Sequence, residues 1–155
     1  MEWIWNASEF VRRVRFQMRF GHLSRSRLQL LRLELRGREA ECEWIVRSND
    51  PWDCDLPLQS QRLHQTEQAL RDAIRLREVL FASLPEVDVA VTKAFRATEG
   101  ELELIISGVL EKNDVVAPKI ASLAMRAKLF GFRFWLEDGS LQPLRTETTR
   151  LAVSG

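Results

Sequence analysis

The sequence predicts an α+β fold, an antiparallel sheet with helices on one face, and three observations lead there. Two pairs of alternating segments are each joined by a short turn containing glycine, a long stretch of helical period separates them, and a shorter helical stretch follows the second pair. Read over 39–137 the order is strand, helix, strand, strand, helix, strand, the βαββαβ order of ferredoxin-like sandwiches. An extra strand, and before it a helix or a strand, precede this unit. The chain of 155 residues suits one α+β domain, 1–155, and 45% apolar against 29% charged residues is a balance that folds without a metal or disulfide staple.

The first element has two readings. Val14, Phe16, Met18 and Phe20 alternate with Arg13, Arg15, Gln17 and Arg19 as in a strand, whereas Ser8 as a cap with Phe10, Val11, Val14 and Met18 fits a helix, the preferred reading. Leu28 to Leu35 and then Ala40, Cys42, Trp44 and Val46 alternate on either side of Arg36-Gly37-Arg38, with Glu39, Glu41 and Glu43 marking a solvated face. Two prolines and three aspartates make 49–59 a loop.

From Ser60, read as a cap, Leu63, Leu70, Ala73, Ile74, Leu80, Phe81 and Leu84 recur at helical spacing up to Pro85. Val87, Val89 and Val91 open a second hairpin through Glu99-Gly100, returning on Leu102, Leu104, Ile106 and Val109. Asn113-Asp114 is expected to cap a second helix with Pro118 in its first turn and Gly131 at its end. Phe132, Phe134 and Leu136 then alternate, with Trp135 pointing away from them, before Asp138-Gly139 turns the chain back through 141–144.

No residue pattern names a reaction. The glycines at 21, 37, 100, 108, 131, 139 and 155 match no phosphate-cradling loop, Cys42 and Cys54 lack metal or redox spacing, and neither His22 nor His64 adjoins a nucleophile motif. No catalytic residue, cofactor or metal is therefore assigned. Free cysteines and the lack of a leader or a long apolar run suggest a cytoplasmic protein with no membrane partner.

Three sets of residues are candidates for binding. Asp50, Trp52, Asp53 and Asp55 could hold a ligand or hard cation, although aspartates beside proline are also ordinary turn and helix-entry residues. Residues 1–38 carry nine arginines against three glutamates, so Arg12, Arg13, Arg15, Arg19, Arg25 and Arg27 could meet nucleic acid or another anionic partner. A pI near 7.8 argues against that partner, and the same arginines could instead pair with Glu39, Glu41 and Glu43. Trp135, Trp3 and Trp5 are candidate interface anchors. The leading expectation is a non-enzymatic interaction module forming a homodimer through a sheet face or edge. Nucleic-acid binding and a small enzyme or ligand site at 50–55 are the alternatives.

Overall fold

A computed structural model describes residues 2–19, 21, 26–48, 55–114, 116, 119 and 122–144, with the side chains of 2–6 outside that description. The fold is mixed α and β. Helix α1 (Glu2–Gln17) is followed by strands β1 (Gln29–Arg36) and β2 (Glu39–Ile45), helix α2 (Leu58–Ser83), strands β3 (Val89–Thr98) and β4 (Glu101–Glu111), helix α3 (Leu123–Leu129) and strands β5 (Phe132–Arg133), β6 (Trp135–Glu137) and β7 (Ser140–Gln142). The first element is thus the helix, begun six residues before Ser8. Its apolar stripe Phe10, Val14 and Met18 is buried, whereas Phe16, which only a strand would have turned inward, is 75% exposed.

Five strands form one sheet in the order β1-β2-β3-β4-β5, and β6 pairs with β7 in a separate hairpin. All neighbours are antiparallel except β2 and β3, which run parallel with Ala40 opposite Ala90 and Trp44 opposite Ala94. The order of elements along the chain is as expected, but their placement is not the split βαβ of a ferredoxin-like sandwich. That pattern needs a gap between the strands joined by the long helix, and here they are adjacent. The seven residues of α3 span only about 10 Å, about two strand spacings, so the chain re-enters the sheet at the nearest edge, beside β4.

One face of the sheet is closed. Ala40, Cys42 and Trp44 of β2, Ala90 and Ala94 of β3 and Ile106 and Leu110 of β4 are buried in a single cluster with Phe10 and Val14 of α1 and Leu70, Ala73, Leu76 and Leu80 of α2. The opposite face carries Glu41 and Glu43 beside half-buried Val91 and Phe95, and Val109 there is 61% exposed. A bulge at Ile105 breaks the alternation of β4, so Ile105 and Ile106 are both buried while Leu104 pairs with Phe95. Leu102 and Leu104 therefore do not share a face with Ile106, as simple alternation had suggested.

Boundaries shift for identifiable reasons. Helix α2 begins at Leu58 with Pro57 at the cap position and no side-chain cap bond, so Ser60 lies inside it. Ser122, not Asn113-Asp114, caps α3, its Oγ accepting from the Met125 N–H at 3.2 Å. Pro118 lies outside the described residues. Gly131 takes φ +109° after α3, and a Cβ there would stand 2.8 Å from the Val109 carbonyl oxygen. Gly108 meets it from the other side, since its Cβ would lie 2.6 Å from the Gly131 oxygen, so two glycines permit β4 and β5 to approach. The β6–β7 hairpin is held by α2, through Gln59 Nε2 donating to the Asp138 oxygen at 2.7 Å and Thr66 Oγ1 to the Gly139 oxygen at 2.7 Å.

Candidate functional site

Strand β1 forms an edge of the sheet, and among the described residues no strand pairs with its outer side. Its sequence, Gln29-Leu-Leu-Arg-Leu-Glu-Leu-Arg36, puts Leu33 and Leu35 opposite Cys42 and Ala40, while Arg32, Glu34 and Arg36 stand opposite Glu43, Glu41 and Glu39. A bulge between Leu30 and Arg32 leaves Leu31 40% exposed. Beside the edge, a groove of about 890 Å³ runs between α1 and β1, walled by Val11, Val14, Phe16, Leu30 and Leu31. An eight-residue edge bordered by exposed apolar side chains is a template for another strand.

Charge is distributed on that edge in a definite pattern. Arg32 contacts Glu34, Glu41 at 3.2 Å and Glu43 at 3.6 Å, and Arg36 Nε donates to Glu34 Oε1 at 2.7 Å. Hydrogen bonds from Arg32 and Arg36 hold the Glu34 carboxyl below its usual range. Glu41 and Glu43 of β2 thus find their partner in Arg32, not in the arginines of α1.

The N-terminal arginines divide into two groups. Arg12 and Arg13 both donate to Glu9, at 2.7 and 2.9 Å, and lower its carboxyl pKa. Arg15, Arg19, Arg27 and Arg32 line the groove instead, and Arg15 and Arg27 form no ion pair among the described residues. Arg25 lies outside the described residues, as do Asp50, Trp52 and Asp53. Of the acidic loop only Asp55 is described, exposed and ahead of α2. Among the described residues no three metal-ligating side chains gather, and no helix is long and apolar enough to cross a membrane. Trp135 is 61% exposed at the start of β6, far along the chain from the β1 edge, but Leu136, expected inside with Phe132 and Phe134, is exposed as well because β6 leaves the main sheet for a separate hairpin. Trp3 and Trp5 fall in the first turns of α1 and their side chains lie outside the described residues.

One buried polar centre escaped the sequence reading. Arg47, two residues beyond the end of β2, pairs with Asp72 of α2, Nε to Oδ2 at 2.8 Å, and both side chains are almost wholly enclosed. Its Nη2 donates to the Met18 carbonyl at 2.6 Å and its Nη1 to the Ser26 carbonyl at 2.8 Å, so one guanidinium satisfies the end of α1 and the approach to β1. Burial pushes the Asp72 carboxyl above its usual range, against the pull of Arg47. In the sequence, Asp72 reads as one of several solvated helix positions.

No family model, curated protein or solved structure matches the chain.

Proposed function

We propose that the chain is a non-enzymatic interaction module whose partner is a second copy of itself, joined antiparallel through β1. The unpaired eight-residue edge, with Leu31 and Phe16 exposed beside it, supports this reading most directly. Charge selects one register. In a two-fold pair centred on Leu33, Arg32 of each copy faces Glu34 of the other, giving two cross-strand ion pairs, and Leu31 faces Leu35. Centred one residue on, Glu34 would face Glu34 and Arg32 would face Arg36, like charge against like.

Sedimentation at high micromolar concentration tests this, with a dimer mass expected. Glu34→Arg is the informative variant: within one chain it gives up the exposed contacts with Arg32 and Arg36, of a kind worth about 0–1 kcal/mol each, and gains a partner in Glu41 opposite, whereas between chains it sets Arg against Arg32. It should yield a well-folded monomer. A monomeric wild type, or a Glu34→Arg dimer of unchanged affinity, would refute pairing in this register.

Arg15 and Arg27, which line the groove without ion pairs among the described residues, support a second reading in which an acidic segment or nucleic acid lies along it. That reading expects retention on heparin that falls with salt and is lost in Arg15→Ala/Arg27→Ala.

A further inference from the structure

A second cavity, of about 280 Å³, lies on the other side of α1, between the end of that helix, the middle of α2 and α3. Met18, Ile74 and Leu123 form an apolar wall, and four arginines, 47, 71, 75 and 126, line it against only two carboxylates, Asp72 and Glu78. Both carboxylates are already engaged, Asp72 by Arg47 and Gln68, Glu78 by Arg75 at 3.1 Å. Guanidinium groups outnumber carboxylates four to two, which disfavours a cation. An anion would find donors.

The arginines differ in how firmly they are held. Arg47 spends its nitrogens on Asp72 and on backbone carbonyls, so it shapes the cavity without being available to a guest. Arg71 is held by Glu67, and Arg75 by Glu78 and, through Nη2, by Gln17 Oε1 at 2.8 Å; the ion pairs are exposed, of the kind worth about 0–1 kcal/mol, and a better acceptor displaces them. Arg126 forms no ion pair among the described residues, and its Nε is buried with no hydrogen-bond partner. Its outer Nη nitrogens are not buried and make no hydrogen bond among the described residues, so they are the donors a guest oxyanion meets.

We infer that this cavity is a binding site for a compact phosphate-type oxyanion, free or as the phosphoryl group of a small ester, gripped by Arg126, Arg71 and Arg75. Converging guanidinium forks match tetrahedral oxyanions through paired N–H donors. At about 280 Å³ the space falls just below the ~300 Å³ at which pockets for larger organic ligands begin, which favours a small anion over a nucleotide.

Melting of the full chain is followed at constant ionic strength against inorganic phosphate, a small phosphomonoester and, as control, chloride. A saturable rise of several degrees with either phosphate compound and none with chloride is expected. Arg126→Gln should abolish the rise. Because that change touches a buried nitrogen, Arg71→Gln serves as a second variant: Arg71 pairs only with exposed Glu67, so the fold should persist while affinity falls about tenfold. No phosphate-specific rise, or a rise of equal midpoint in both variants, overturns the assignment.

Discussion

The Cys42 thiol lies on the closed face of β2 between Ala40 and Trp44, and burial pushes its pKa from 9.0 to about 12, with Glu43 adding to the effect. The folded chain therefore keeps its proton where the unfolded chain has lost it. Stability from this residue is complete below about pH 9 and drains as pH rises toward 12, by about 1.4 kcal/mol per pH step and about 4 kcal/mol in all. Urea midpoints of the native chain and Cys42→Ala should keep a constant gap below pH 9, with the native chain losing stability relative to Cys42→Ala above it; curves that stay parallel above pH 9 would show that the thiol is not protected. A thiol reagent at pH 8 should likewise modify Cys42 only after unfolding. This much was legible in the sequence, because strict alternation put Cys42 in line with Trp44. The Arg47–Asp72 pair was not, since its partners are 25 residues apart and nothing local marks either as buried.

Among the elements, alternation and helical period placed the strand pairs and α2, and failed where a single residue breaks the period. Ile105 and Leu31 are such breaks: each bulge turns a leucine of a regular pattern to the opposite side, and composition around it is unremarkable. Contact between non-neighbours explains the β4–β5 junction in the same way. Gly108 looks like an incidental strand glycine, yet the Gly131 backbone occupies the place of its side chain, and its own carbonyl accepts from Thr92 Oγ1 at 3.1 Å. Gly108→Ala must push one backbone from the other. We expect a loss of about 1–3 kcal/mol in denaturant titration, the usual cost of overpacking, with faster amide exchange in β5. An unchanged midpoint would mean that the junction yields freely.

At the scale of the whole molecule, the nine arginines of residues 1–38 suggested an anionic partner, but several of the chain's 19 arginines tie elements together. Arg77 of α2 stacks 4.3 Å from the Phe130 ring centre and donates to the Glu111 and Asp114 carbonyls at 2.9 Å, joining α2, the end of β4 and the residue that closes α3. Arg47 does the same for α1, β2 and α2, a use for which the planar guanidinium suits better than an ammonium. Sheet order was not legible either, because no strand's own pattern says that β2 pairs with β3 in parallel. The Arg47 centre makes a strong prediction. Arg47→Met removes the cation and leaves Asp72 enclosed with only Gln68 as a donor, at 3.1 Å, which should cost about 3–5 kcal/mol. Asp72→Leu added to it removes the stranded carboxylate, so the double variant should be more stable than Arg47→Met alone, short of native because the Met18 and Ser26 carbonyls still lack their donor. Denaturant midpoints for the four members of the cycle decide it. Losses that simply add would show two independent contacts, whereas recovery in the double variant, with amide exchange still raised at the end of α1, would identify Arg47 as the joint between the first helix and the sheet.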